Sequence, residues 1–159
     1  MDHSTINNEL LKQLLKTAKT IAIVGVSLNK KNEDSKIIRR RPSIIVMKYL
    51  QEFGYRVIPV NPFSAGKKIN GEIVVAKLED IAIPVDVVNV FRPSKEATGL
   101  AEKAVKIRAK VLWLQYGIQN REAQKIVESA NITYVADKCI KQEYQKLFLR
   151  MNPVFPVLQ

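Results

Sequence analysis

The chain predicts an α/β fold in which helices cover both faces of a mostly parallel sheet. Three observations carry the prediction. Short runs rich in Val and Ile recur near residues 20–26, 55–60, 85–91, 111–114 and 133–136. Stretches whose apolar residues repeat at helical spacing lie between most of them. Gly, Asn-Pro or Arg-Pro follows several of the runs, which marks turns at the strand ends.

Each element follows in order. Ile6, Leu10, Leu11, Leu14, Leu15 and Ala18 recur every three or four residues, so an amphipathic helix opens the chain over about 5–18. Residues 20–26 form a strand ending in Gly25-Val26-Ser27. A charged stretch from Leu28 to Arg41 reads as a long loop. Pro42 suits a first helical turn, where no backbone N–H is needed. The helix it opens carries Ile45, Val46, Tyr49, Leu50 and Phe53 on one face, and Gly54 ends it. The second strand, 55–60, stops at Asn61-Pro62, and 62–71 reads as a loop. A brief strand is expected at 72–76 and one helical turn at 78–81. Residues 85–91 form a buried strand interrupted by Asp86 and Asn89. Pro93-Ser94 opens a helix with Ala97, Leu100, Ala101, Ala104 and Val105 facing inward. A strand at 111–114 turns at Gln115-Tyr116-Gly117, and Asn120 caps the next helix. The last strand, 133–136, leads to a helix with Ile140, Tyr144, Leu147 and Phe148 aligned. Right-handed crossovers leave few arrangements, of which the Rossmann order 3-2-1-4-5-6 is expected.

Composition fits one domain over 1–159, with the core at about 20–149 and a surface tail at 150–159. Its 159 residues are 47% hydrophobic, enough for a proper core. No run reaches the roughly 18 apolar residues a membrane helix needs, and the N-terminus lacks an apolar signal core. With a single cysteine, Cys139, the expected location is cytoplasmic. Lys and Arg number 26 against 15 Asp and Glu, a formal charge of +11. Such an excess attracts nucleic acid, anionic membranes or phosphorylated small molecules.

Ligands of open parallel sheets lie beyond the strands' carboxyl ends, where strand order reverses. That rule selects Gly25-Val26-Ser27, Asn61-Pro62, Phe91-Arg92, Gln115-Tyr116-Gly117-Ile118 and Asp137-Lys138-Cys139. Gly25 lets the backbone approach a ligand, and Ser27 and Ser43 offer hydroxyls. Arg41, Lys67, Lys68 and Arg92 are the candidate cations. A nicotinamide dinucleotide fingerprint needs three spaced glycines and an acid ending the second strand. Here Gly25 stands alone and Asn61 occupies the acid's place, leaving only a basic NADP site as a weak alternative. No Ser-His-Asp set or metal-ligand cluster can be assembled.

These segments together resemble the coenzyme A-binding domain family, whose fold is that of the N-terminal domain of succinyl-CoA synthetase α subunits. The resemblance rests on Val24-Gly25-Val26-Ser27, Arg41-Pro42-Ser43, the run from Tyr55 to Pro62, the run from Val85 to Arg92, Trp113 to Ile118, and Asp137-Lys138-Cys139. It implies coenzyme A or an acyl-CoA across the strand ends, with phosphates near Gly25 to Ser27, Ser43 and Lys67. It further implies that Phe91 and Arg92 border the adenine, and that Gln115, Gly117 and Ile118 run beside the pantetheine arm. The loop from Leu28 to Arg41 is longer and more basic than the family's usual link. Succinyl-CoA synthetase works through a phosphorylated histidine, whereas His3 near the N-terminus is the only histidine here.

The expectation is therefore a small-molecule binder without catalysis of its own, acting alone, as a homodimer or with a partner protein. Its alternatives are a nucleic-acid binder using Lys30 to Arg41, or an NADP binder. Cys139 is expected beside the ligand, either packed or as a thiol facing coenzyme A's own.

Overall fold

The computed structural model describes residues 6–26 and 42–149; Ser27, Arg41 and the basic loop between them lie outside the described residues. Helix α1 (Asn8–Thr17) is capped by Asn7, whose side chain accepts from the Leu10 N–H at 2.8 Å. Strand β1 (Thr20–Val24), helix α2 (Pro42–Glu52) and strand β2 (Arg56–Val60) come next. A small hairpin, β3 (Lys68–Ile69) with β4 (Glu72–Ile73), and a 3-10 turn at Leu78–Asp80 precede β5 (Val87–Val90). A second 3-10 turn, Ser94–Glu96, leads into α3 (Ala97–Lys106). The remainder is β6 (Val111–Leu114), α4 (Arg121–Ser129), β7 (Thr133–Val135) and α5 (Ile140–Tyr144), which continues as a π-helical turn, Gln145–Leu149.

Five strands form one parallel sheet in the order β2-β1-β5-β6-β7. Alternate side chains build two cores, as strand geometry requires. Ala22, Val24, Val88, Val90, Leu112 and Leu114 face α3 and α4, whose Ala97, Ala101, Ala104 and Ala123 let the helices sit close to the sheet. Ile21, Ile23, Val57, Val87, Val111 and Trp113 face α1, α2 and α5. The result is a Rossmann-like three-layer α/β/α arrangement. On α2 the buried face is Val46, Met47 and Leu50, so it is turned from the predicted one, and Phe53 is left 40% exposed.

The strand order differs from the expected 3-2-1-4-5-6 in one respect. The expected edge strand beside β2 is reduced to a single parallel bridge, Val60 to Val75. Val75 donates to the Pro59 carbonyl at 3.0 Å and accepts from the Asn61 N–H at 2.9 Å. The Pro59 nitrogen faces the same outer edge but has no hydrogen to give, so the ladder cannot continue. The chain before Val75 folds instead into the β3–β4 hairpin.

At the opposite end of the sheet, Asp86 Oδ2 accepts from the Lys19 and Thr20 N–H groups at 2.8 and 3.0 Å. Burial pushes this carboxyl's pKa up, but the two N–H groups and Lys110 outweigh it, and the net shift is downward. Asp86 thus staples β1 to β5 below the point where their connections diverge.

Candidate functional site

The chain leaves β1 toward β2 on one side and reaches β6 and β7 on the other, so strand order reverses between β1 and β5. Beyond their carboxyl ends the backbone is tightly cinched. Gly25 donates to the Val60 carbonyl at 3.0 Å, and Phe91 donates to the Val24 carbonyl at 2.8 Å. Gly25 has φ +100°, and a Cβ there would stand 2.8 Å from Arg92 Cδ and 3.0 Å from the Phe91 oxygen. Only glycine fits this turn, which the Arg92 stem crosses directly.

The notch opens into a cavity of about 250 Å³ on the α3 side. Val24, Val60, Leu78 and Leu100 supply its apolar walls, and Asn61, Pro62, Phe63 and Lys77 border it on the β2 side. Two ion pairs stand on the opposite border. Arg92 holds Glu96 through Nε and Nη2 at 3.0 and 2.8 Å. Lys103 bonds Glu79, with Lys106 at 4.0 Å from the same carboxylate. Hydrogen bonding from Arg92 holds the Glu96 carboxyl below the usual range despite some burial, and Lys103 does the same for Glu79.

Asn61 is a structural tie between two strand ends. Its Nδ2 donates to the Val26 carbonyl at 2.7 Å, and its Oδ1 accepts from the Phe63 N–H at 2.8 Å. A carboxylate could accept from Phe63 but could not donate to Val26. The amide therefore stands where a dinucleotide-binding fold would place its acid.

The ends of β5, β6 and β7 are laced together beside the notch. Asn120 Nδ2 donates to the Ser94 carbonyl at 2.7 Å, and the Gln119 N–H reaches Ser94 Oγ at 3.3 Å. Gly117 donates to Asp137 Oδ1 at 2.7 Å, Ile118 to the Gln115 carbonyl at 2.9 Å, and Asp137 to the Ile118 carbonyl at 3.1 Å. Gln115 is buried, and its Oε1 accepts weakly from Asn89 Nδ2 and the Ile140 N–H, both at 3.4 Å. Trp113 Nε1 donates to the Lys138 carbonyl at 2.8 Å.

The residues singled out in the sequence thus divide into groups. Gly25, Asn61, Pro62 and Arg92 line the cavity together. Val26 and Ser43 are buried on the α2 side of the sheet, where Phe91 and Cys139 pack half-buried against the same core. Gln115, Gly117 and Ile118 form the turn after β6. Lys67 precedes the β3–β4 hairpin, bound through its backbone to Ser64 and Val74, and does not line the cavity. Sequence reasoning missed Phe63, Lys77, Glu79, Glu96 and Lys103. Of these, the Arg92–Glu96 pair was signalled by its i,i+4 spacing.

Comparison with known proteins identifies the family and the fold. The chain matches the family model of the CoA binding domain over residues 19–145. It is 37% identical over 131 residues to the uncharacterized protein YneT of Bacillus subtilis, covering 82% of this chain and 89% of that protein. A solved Thermus thermophilus protein, cell-free ID.343, is 38% identical with a TM-score of 0.80, covering 90% of this chain and all of that one. A hypothetical protein from Pyrococcus horikoshii is 33% identical with a TM-score of 0.79, covering 92% and 96%. With the domain match spanning residues 19–145 and relatives of the same fold at 33–38% identity, the chain belongs to the CoA-binding domain family.

Proposed function

We propose that the protein binds coenzyme A or an acyl-CoA at the carboxyl edge of its sheet and holds it without turning it over. The observation that carries this reading is the Gly25 turn at the strand-order reversal, crossed by Arg92 and opening into a cavity with apolar walls. Diphosphates favour such turns, where backbone N–H groups and a guanidinium can meet them without an intervening Cβ. The absence of turnover is supported by the carboxylates lining the cavity. Glu79 and Glu96 are each tied to a cation that lowers the carboxyl pKa, so neither is poised as a proton donor near neutral pH and each is weakened as a base. Nothing in the described residues or the relatives favours the nucleic-acid or NADP alternative, and Asn61 is already committed to Val26 and Phe63.

Isothermal titration with coenzyme A, an acetyl derivative and NADP tests the reading. Saturable binding of coenzyme A, tighter than that of NADP, is expected, with coenzyme A recovered unaltered after incubation with the protein. Stronger binding of NADP would refute it.

A further inference from the structure

Five aromatic rings gather at the amino edge of the sheet, opposite the strand-end cavity. Tyr49 in α2 and Phe53 just after it have ring centres 4.8 Å apart, Phe53 lies 4.8 Å from Tyr144, and Tyr144 stacks on Phe148 at 4.6 Å. The Tyr55 ring meets Tyr144 edge-on at 6.1 Å, and its hydroxyl donates to the Leu15 carbonyl of α1. Between α1 and these rings runs a groove of about 210 Å³, lined by Leu15, Lys16, Phe53, Tyr55, Tyr144 and Phe148. Ala18 and Gly54 complete it, and they stand just before β1 and β2. Phe53 is 40% exposed there. An aromatic cluster open to solvent in this way marks a contact surface rather than a core.

The charges around the groove identify what it fits. Lys16 lines it, Lys12 Nζ lies 5.6 Å from the centre of the Phe148 ring, and Lys141 Nζ lies 5.3 Å from that of Tyr49. None of the three is in an ion pair among the described residues. Of the nearby carboxylates, Glu52 acts on Tyr49, and Glu143 is held by Lys146 at 3.1 Å. Three cations therefore stand against one free carboxylate. A second copy of the chain would bring a like-charged rim against this one, which disfavours self-pairing. We propose that the groove docks an acidic segment of a partner protein, with an apolar side chain against Phe53 and Tyr144 and flanking carboxylates on Lys12, Lys16 and Lys141. The apolar contact supplies the anchor, and the lysines supply attraction and orientation. The formal charge of +11 adds long-range attraction for the same class of partner. The groove lies on the edge opposite the Gly25 turn, so the partner would not compete with a ligand at the carboxyl edge. The inference does not depend on the coenzyme A reading.

The test is a fluorescence anisotropy titration of a labelled peptide, Glu-Asp-Glu-Leu-Phe-Glu-Asp-Glu, with the full-length protein at physiological salt. A companion peptide with Ser-Ser in place of Leu-Phe carries the same charge without the anchor. Saturable binding of the first peptide, about tenfold tighter than that of the second, is expected. Lys16→Glu and Lys125→Glu change the net charge equally, but Lys125 is exposed on α4, which packs on the other face of the sheet. Lys16→Glu should weaken binding about tenfold, and Lys125→Glu by less than about threefold. Phe53→Ser should weaken it by about fivefold or more. All three side chains are exposed, and melting curves confirm that each variant folds. No saturable binding, equal loss in the two charge variants, or equal affinity for the two peptides overturns the proposal. Binding that appears only when residues 150–159 are deleted assigns the groove to the chain's own C-terminal segment, and a dimer in sedimentation that Phe53→Ser dissolves assigns it to a second copy. Either result also overturns the proposal.

Discussion

Replacing Gly25 by alanine probes the turn at the centre of the site, and the structure provides its own control. The residue sits at φ +100°, outside the range that L side chains occupy comfortably. That conformation alone costs about 1–2 kcal/mol for a residue with a Cβ. The new methyl would also meet Arg92 Cδ at 2.8 Å and the Phe91 oxygen at 3.0 Å. Arg92 can swing away, but the Phe91 oxygen is backbone and fixed by the β1–β5 ladder, so crowding adds about 1–3 kcal/mol. The total, about 2–5 kcal/mol, lowers the melting temperature by roughly 4–20 °C while leaving a domain of ordinary stability folded. Gly54 has nearly the same φ, +96°, with nothing within 4 Å of its missing Cβ. Gly54→Ala therefore reports the conformational penalty alone, and its difference from Gly25→Ala isolates the crowding. Thermal melts of both variants read the two contributions, and titration with coenzyme A reads the site. Gly25→Ala should lose more than tenfold in affinity because Arg92 is displaced, whereas Gly54→Ala should bind as the parent does. Equal melting shifts in the two variants, or undiminished coenzyme A binding by Gly25→Ala, would refute the reasoning.

Three further outcomes are expected. Glu96→Gln removes the carboxylate competing for Arg92, so coenzyme A binding should tighten about two- to fivefold while stability falls by less than about 0.5 kcal/mol; weaker binding would contradict this. Asp86→Ala leaves the Lys19 and Thr20 N–H groups without their acceptor and should lower stability by about 1–3 kcal/mol in denaturant titrations near neutral pH. The Asp86 pKa lies below its ordinary value of 3.8 in the folded state, so its contribution is complete at neutral pH and lost on acidification. The gap between parent and Asp86→Ala should accordingly shrink as pH falls below 3.8; a gap that widens would reverse the sign of the argument. Asn61→Asp destroys the donor to Val26 and should lower stability by about 1–3 kcal/mol without creating affinity for NAD, as melting and titration can show.

Much of this architecture can be read from the chain because local and global preferences agree. The Val- and Ile-rich runs and the capping residue Asn120 point to the same elements that tertiary packing selects. The strand-end rule likewise brought out Gly25, Asn61, Pro62 and Arg92 before any packing was known. The hairpin at Lys68–Ile73 was less legible. Its cause is one missing hydrogen at Pro59, whose significance depends on which edge of β2 faces outward. Phe63 and Lys77 escaped for a similar reason: an exposed phenylalanine and a lone lysine carry no periodic signal. They gain meaning only when the turn after β2 and the segment before the Leu78–Asp80 turn meet at one cavity. Val26 and Cys139 show the converse. Their positions near strand ends are clear in the sequence, but the face of the sheet against which they pack follows from the pleat and from packing.

The most direct measurement is a crystal structure of the protein grown with coenzyme A. The diphosphate is expected over the Gly25 turn with Arg92 released from Glu96 toward it. Coenzyme A bound elsewhere, with the Gly25 turn bare and Arg92 still paired to Glu96, would contradict it.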